Sequence, residues 1–195
     1  MGVAKGGSYV GSREENRRKY RRACLTAVRS AAWVLLGFTL LTGTLQAAPR
    51  MGDILPKTTL GDLKGASVAM PDEYKGKVVL IHFFATWCTY CPKEVAVLES
   101  IYRKYRDRGV VPCSVDVGES KEKVASFGDR EGISYPLLLD PASAAAKEYG
   151  VTGIPTTYVL DASGVVRFRI IGEITEEGLD RIVRVLLSNA KGSRR

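Results

Sequence analysis

The feature that most constrains this chain is a pair of cysteines placed directly after an apolar segment. Residues Val78–Phe84 read Val-Val-Leu-Ile-His-Phe-Phe, a nearly continuous run of β-branched and aromatic side chains. Such a run predicts a central strand buried on both faces, as in parallel sheets. Cys88 and Cys91 follow at the start of a predicted helix from about Tyr90 to Arg108. At this spacing the two thiols can reach each other and form a disulfide.

Strand and helix patterns alternate along the rest of the chain. Strands are predicted at 110–117, 136–139, 156–161 and 165–170, helices at 121–131, 143–149 and 176–188, and a short hairpin within 57–69. This order predicts an α/β fold with a central mixed β-sheet flanked by helices and preceded by an N-terminal β-hairpin.

Cys88 is expected to be the nucleophile of the pair. Free backbone N–H groups and the dipole at the helix start stabilise a thiolate and lower its pKa from about 8.5. A thiolate is the attacking species in thiol–disulfide exchange. Cys91, one turn further in, is then expected to resolve the mixed disulfide. Pro92 costs the helix little, because an N–H at that position has no partner.

A metal site could use the same two cysteines. Structural zinc usually takes four ligands, and beyond the pair the chain offers only Cys24, Cys113 and His82. We therefore disfavour zinc and expect no metal. The alternative function is a Cu(I)-binding assembly chaperone module, because soft thiolates suit Cu(I). No Met- or His-rich tract supports that alternative.

The motifs around the cysteines resemble the TlpA/ResA/CcmG-like thiol–disulfide oxidoreductases of the thioredoxin superfamily. The matching motifs are Ala85-Thr-Trp-Cys88, Val117-Gly-Glu-Ser120, Tyr135-Pro-Leu-Leu-Leu-Asp140 and Tyr149-Gly-Val-Thr-Gly-Ile-Pro155-Thr-Thr, so the resemblance covers most of 52–172. It implies a thioredoxin-like fold in which residues 119–149 form the TlpA-type central insert. It also implies exchange through a redox-active Cys88–Cys91 disulfide, with no other cofactor.

The resemblance implies roles for four further residues. Pro155 matches a cis proline that faces the cysteine pair, and Ile154 would offer its backbone to a substrate as an added strand. Trp87 is expected in the same substrate-binding surface. Glu94 matches a family glutamate that could relay protons to Cys91. The alternative for Glu94 is an exposed first-turn carboxylate favoured by the helix dipole.

His82 departs from the family pattern, which has Asp or Asn six residues before the first cysteine. A buried imidazole there could accept the proton of Cys91 as a proton relay. The simpler interpretation is a hydrogen-bonded core histidine. Cys113 lies in an apolar strand, so we expect a small buried side chain rather than a third redox centre.

A peroxiredoxin-like activity is disfavoured by the residues that precede the cysteines. A peroxidase thiolate would need Thr three positions before it and Pro seven before it. Those positions hold Ala85 and Ile81 before Cys88. They hold Cys88 and Phe84 before Cys91.

Most of the net charge of +8 belongs to the first 48 residues, which hold eight basic and two acidic side chains. A basic stretch ending at Arg22 precedes the apolar run Ala31–Leu45 and the small residues before Pro49, the layout of an export signal. Residues 30–48 could also just span a bilayer, which takes about 20 residues. Cleavage and retention as an anchor both stay open. In either case the basic flank is expected to remain cytoplasmic.

We therefore predict a leader at 1–48, acting as signal peptide or membrane anchor, and a thioredoxin-like domain at 49–195. The domain is expected on the periplasmic side, secreted or tethered to the inner membrane by residues 30–48, as a monomer that contacts the membrane only through this segment. Expected partners are protein thiols and disulfides, with a membrane thiol reductase as electron donor. Cytochrome c maturation or metalloprotein assembly are plausible duties. Nucleic acid is not expected, because the domain is nearly neutral.

Overall fold

The structure is a computed structural model that describes residues 47–192. Apart from its last two residues, the predicted leader lies outside the described residues, and its role stays a prediction. Within residues 47–192, no helix combines the length and the apolar character that crossing a membrane requires.

The described residues form one sheet with helices packed on it. The strands are β1 (Thr58–Asp62), β2 (Ser67–Met70), β3 (Val78–Phe84), β4 (Val110–Val117), β5 (Leu137–Asp140), β6 (Thr156–Leu160) and β7 (Val166–Ile171). The helices are α1 (Cys91–Tyr105), α2 (Lys121–Glu131), α3 (Ala144–Glu148) and α4 (Glu176–Gly192), with short 3-10 turns at Asp72–Tyr74 and Arg106–Arg108.

The sheet has the strand order β2-β1-β5-β4-β3-β6-β7. β3 pairs in parallel with β4, and β4 in parallel with β5. The remaining pairs are antiparallel, including β3 with β6 and the β1–β2 hairpin with β5. The predicted mixed sheet and N-terminal hairpin are confirmed, and the segment 119–149 contributes α2, β5 and α3.

β3 is buried along its whole length, as its apolar run predicts. Val79, Ile81 and Phe83 pack on one face in a cluster that includes side chains of α3. Val78 and Leu80 pack on the other face against α1 and α4. Each such side chain contributes about 1.5–3 kcal/mol of burial free energy. The cysteine-bearing segment therefore follows a strand that is buried on both faces.

Pro112 lies within β4 without disturbing the sheet. The backbone N–H of Ser114 points to the β5 side, where it donates to the Pro136 carbonyl at 3.0 Å. The missing N–H of Pro112, two residues earlier, faces the same side. β5 begins opposite Ser114, so no strand lies beside Pro112 on that side and no ladder bond is lost.

The element ends differ from the predictions by a few residues. The helix predicted to reach Arg108 ends at Tyr105 and continues as a 3-10 turn closed by Gly109, which has φ 81°. Ser143 has φ 53° and precedes α3 instead of belonging to it. α4 extends to Gly192, four residues beyond the prediction. A cis Met70–Pro71 bond was not predicted.

Candidate active site

Cys88 and Cys91 form a disulfide at the carboxyl end of β3, with an S–S distance of 2.25 Å and Cα atoms 5.5 Å apart. Cys91 is the first residue of α1, and its N–H donates to the Cys88 carbonyl at 3.3 Å. Cys91 is fully buried, whereas 7% of Cys88 is exposed. Of the two cysteines only Cys88 keeps any exposed surface, which agrees with its predicted role as the cysteine that exchanges with an incoming group.

The predicted cis proline lies beside the cysteine pair. The Ile154–Pro155 bond is cis, as the resemblance implies. Pairing of Thr156 with Phe83 places Pro155 at the carboxyl end of β3. Ile154 packs against the core cluster that contains both cysteines. Neither backbone polar group of Ile154 pairs with another backbone group within residues 47–192, so both can accept a partner strand.

Three large apolar side chains are exposed on the segments that carry or adjoin the cysteine pair and Pro155. Trp87 is 71% exposed and Tyr90 60% exposed, and each precedes one of the cysteines. Ile171 is 61% exposed. It lies opposite Thr156, the residue that follows Pro155 in the sequence. We call Trp87, Tyr90 and Ile171 the active-site rim. Exposed apolar side chains grouped in this way are typical of protein-binding surfaces. Sequence reasoning did not identify Ile171, whose place depends on strand register.

Glu94 is buried rather than exposed, so the alternative of a solvent-facing first-turn carboxylate is wrong. Only 1% of its surface is accessible, and it lies one helical turn after Cys91. Its Oε2 lies 3.2 Å from Nε2 of the fully buried His82. The angle at this contact falls outside hydrogen-bond geometry, and neither Glu94 oxygen has a hydrogen-bond donor among the described residues. The structure thus pairs the two residues that the sequence singled out separately.

The other ring nitrogen of His82 is hydrogen-bonded within the core. Nδ1 lies 3.0 Å from the Ser114 hydroxyl, which lies 3.2 Å from the Tyr135 hydroxyl. The imidazole also stacks on Phe84 with a centroid distance of 5.8 Å. A hydrogen-bonded core histidine is therefore confirmed, and the relay role stays a prediction.

A pair of carboxyl groups fixes the loop that precedes Cys88. Glu119 accepts the Thr86 N–H at 2.5 Å and the Thr86 hydroxyl at 2.8 Å. The N–H of Glu119 in turn donates to Asp116 at 2.9 Å. We call Asp116, Glu119 and Thr86 the loop clamp. Sequence reasoning included Glu119 only as part of a family motif and missed its contact with Thr86.

The two carboxyl groups of the loop clamp have opposite pKa shifts. Burial raises the pKa of Asp116 to about 7, although the N–H of Glu119 opposes the shift. Burial also raises the pKa of Glu119, but the hydrogen bonds from Thr86 outweigh it and hold that pKa below its ordinary value. Near neutral pH, Glu119 is thus the charged acceptor of the pair.

Cys113 is fully buried as a free thiol, on the sheet face opposite His82, and desolvation raises its pKa. The prediction of a small buried side chain is confirmed. Within residues 47–192, no group of three or more His, Cys, Asp or Glu side chains is arranged as a metal site. The copper alternative stays a prediction.

Comparisons with known proteins agree with this geometry. The sequence pattern of the AhpC/TSA family matches residues 51–169. The thiol-disulfide oxidoreductase ResA of Geobacillus kaustophilus is 32% identical over 167 residues, which cover 85% of this chain and 95% of that protein. ResA of Bacillus anthracis is 32% identical over 169 residues, with 86% and 95% covered.

Two solved structures share the fold. A thiol:disulfide interchange protein of the thioredoxin family from Chlorobium tepidum superposes with a TM-score of 0.63 at 31% identity, covering 72% of this chain and 99% of that one. A thiol:disulfide interchange protein from a Bacteroides species gives a TM-score of 0.64 at 25% identity, with 73% and 93% covered.

The chain belongs to the ResA-like thiol–disulfide oxidoreductases of the AhpC/TSA family. The predicted family, the thioredoxin-like fold and the enzyme class are confirmed. That Ala85 and Ile81 disfavour a peroxidase stays a prediction from the sequence.

Proposed function

We propose that this ResA-like protein is an exported disulfide reductase that acts on extracytoplasmic protein thiols. The observation that carries the proposal is the Cys88–Cys91 disulfide beside cis Pro155, bordered by the exposed active-site rim. The leader sequence supports export, and 32% identity to the thiol-disulfide oxidoreductase ResA supports thiol–disulfide exchange. Reduction as the net direction is part of the proposal.

The reaction proceeds in two exchanges. In the reduced protein, the Cys88 thiolate attacks one sulfur of a substrate disulfide, and the other substrate sulfur leaves as a thiolate. Cys91 then loses its proton, and its sulfur attacks Cys88. The mixed disulfide breaks, the substrate dithiol is released, and the Cys88–Cys91 disulfide of this structure forms. A membrane thiol reductase supplies the two electrons that restore both thiols.

Substrate recognition combines backbone and side-chain contacts. A peptide segment around the substrate disulfide pairs with the unpaired backbone of Ile154, as an added strand does. Pro155 borders the bound peptide next to Cys88. Trp87 packs on the apolar side chains of the substrate. Glu94 takes part in proton transfer to and from Cys91. Substrates of the cytochrome c maturation or metalloprotein assembly type, with exposed cysteine pairs, fit this mode of binding.

The proposal is tested by trapping substrates in the native host. Cys91→Ser removes the resolving thiol but leaves Cys88, so mixed disulfides with substrates should accumulate and can be identified by mass spectrometry after purification under non-reducing conditions. The matched control, Cys88→Ser with Cys91 intact, should trap far less, because Cys91 is buried. If Cys88 in the Cys91→Ser variant stays reduced and captures nothing, the exchange function is wrong.

A further inference from the structure

Four buried polar side chains form a row across the sheet face that packs against α1. Thr157 on β6, His82 on β3 and Ser114 on β4 are neighbours in register, so their side chains point to the same face. The hydroxyl of Tyr135 continues the row beyond Ser114 at 3.2 Å. Glu94 reaches this row from α1, with Oε2 3.2 Å from Nε2 of His82. Hydrogen-bond contacts link His82 through Ser114 to Tyr135, and Glu94 adjoins Nε2 of His82 without a hydrogen bond.

Ser114 can pair with His82 in either protonation state. A serine hydroxyl rotates and can donate or accept a hydrogen bond, whereas a carbonyl at the same place could only accept. The hydroxyl donates to Nδ1 of a neutral imidazole whose proton is on Nε2, and it accepts from Nδ1 of an imidazolium. The Tyr135 hydroxyl, also able to rotate, compensates at the other side of Ser114. His82 can therefore gain or lose a proton without leaving Nδ1 unpaired.

The buried Glu94 carboxyl group needs a partner that can carry a positive charge or share a proton with it. A carboxylate buried without donors is strongly disfavoured, unless a positive charge lies beside it or a proton neutralises it. Within the described residues, His82 is the side chain that the structure places against a Glu94 oxygen. One proton held by the two groups together removes the cost of an isolated buried charge.

We propose that His82 and Glu94 together hold one proton and act as a single acceptor for the proton of the Cys91 thiol, with Ser114 and Tyr135 allowing the imidazole to change protonation state. The inference rests on the proposed exchange function. Glu94 follows Cys91 by three residues on α1, and residues at this spacing are neighbours on a helix, so in the proposal Glu94 is the member of the pair that accepts from Cys91. His82 is a positioning residue that acts through Glu94.

During resolution, a proton leaves Cys91 and two electron pairs move. The S–H bond of Cys91 breaks and its proton passes to the His82–Glu94 pair. The electron pair left on the Cys91 sulfur forms the bond to Cys88, while the bond from Cys88 to the substrate sulfur breaks. The substrate sulfur leaves with the electron pair of the broken bond and takes up a proton from water. The substrate disulfide is the oxidant, so no further redox partner is needed.

Other titratable groups lie around His82, and they determine which control variant the experiment needs. α1 contributes Glu94 and Cys91, and Glu99 of α1 hydrogen-bonds Ser134 beside Tyr135. Burial raises the pKa of Tyr135, so it stays protonated. β4 contributes Asp116, two residues after Ser114, with a pKa raised by burial to about 7. Asp116 is the other buried group near this row whose ionisation could set a pH inflection close to neutrality, and Asp116→Asn is therefore the control.

The experiment follows the reaction of the reduced full-length protein with an equimolar chromogenic aromatic disulfide by stopped flow from pH 5 to 9. The first release of chromophore reports attack by Cys88, and the second reports resolution by Cys91. The second phase is compared among wild type and the variants His82→Asn, Ser114→Ala, Ser114→Thr and Asp116→Asn.

We expect His82→Asn to slow the second phase by about tenfold or more near neutral pH and to shift its pH inflection, while the first phase is unchanged. Ser114→Ala should change the profile in the same direction, and Ser114→Thr, which keeps a hydroxyl, should restore it. Asp116→Asn should keep the wild-type inflection. A wild-type second phase in His82→Asn, or an inflection that moves only in Asp116→Asn, overturns the inference. Absence of the first phase in wild type would instead contradict the exchange function itself.

Discussion

Asp116 illustrates how a single buried carboxyl group makes the stability of this protein depend on pH. It is fully buried, and one of its two oxygens has no hydrogen-bond donor within residues 47–192. Burial raises its pKa from 3.8 to about 7. Between these values the native protein holds a proton that the unfolded chain has lost, so the free energy of unfolding falls as pH rises.

Asp116→Asn is expected to remove this pH dependence. In wild type, the free energy of unfolding should decrease by about 2 kcal/mol between pH 5 and pH 8. Asparagine cannot ionise but can still accept the N–H of Glu119, so the variant should show a flatter profile. Urea unfolding of the oxidised protein at both pH values measures the difference. Glu119 does not interfere, because its lowered pKa places its own effect below about pH 4.5. Equal slopes for variant and wild type would contradict the prediction.

At the scale of elements, the loop clamp joins the segment before Cys88 to the connection between β4 and α2. Thr86 and Glu119 are 33 residues apart in sequence and are linked by two hydrogen bonds. Each bond to a charged acceptor contributes about 1.5–3 kcal/mol. The position of Cys88 therefore depends on an element of the central insert as well as on β3.

Glu119→Gln is expected to lower kcat/KM for disulfide exchange by about tenfold, because a small displacement of a reacting group lowers its rate steeply. Glutamine is neutral and keeps only one acceptor oxygen. The Thr86 N–H therefore loses its charged acceptor, and the Thr86 hydroxyl can stay linked only by turning to accept from the amide NH2. The control is Lys123→Met, which removes a long, exposed ion pair to the same carboxylate at 4.0 Å and should change little. Both variants are measured in the same exchange assay with thermal unfolding alongside. A comparable loss in Lys123→Met would show that charge around Glu119, rather than the bonds to Thr86, matters.

The sequence predicts elements better than the contacts between them. The bounds of β3, β4 and α2 agree with the patterns of apolar side chains, because burial on one or both faces imposes those patterns locally. His82 and Glu94 were each singled out, one by its departure from the family pattern and one by its agreement. Their 3.2 Å contact could not be predicted, because it depends on how α1 packs over β3. The same holds for Thr86 and Glu119.

At the scale of the whole molecule, the strand order brings the functional parts to one end of the sheet. β3 and β6 are antiparallel neighbours, so the carboxyl end of β3 meets the amino end of β6 and Cys88 comes close to Pro155. β7 follows as an edge strand and adds Ile171 to the active-site rim. An apolar surface at this end suits a protein substrate better than a small polar one.

Trp87→Ala is expected to weaken exchange with protein substrates but to leave exchange with small disulfides nearly unchanged. The KM for a protein disulfide should rise by about tenfold or more, as truncation of an interface tryptophan commonly causes. The rate with a small aromatic disulfide should stay within about threefold of wild type, because Cys88 itself is unchanged. Phe168→Ala serves as the control, since this aromatic side chain is 37% exposed but lies outside the active-site rim. An equal loss with both substrates would place Trp87 in the chemistry of Cys88 instead.

The loop clamp also limits how this domain can be recombined with its relatives. Exchange of residues 119–149 for the corresponding segment of another oxidoreductase is a natural way to transfer substrate preference. Such a chimera keeps the present contacts that hold Thr86 only if the incoming segment supplies a carboxylate that reaches it. Without that carboxylate, activity should fall on every substrate alike, and the decrease could be mistaken for altered specificity.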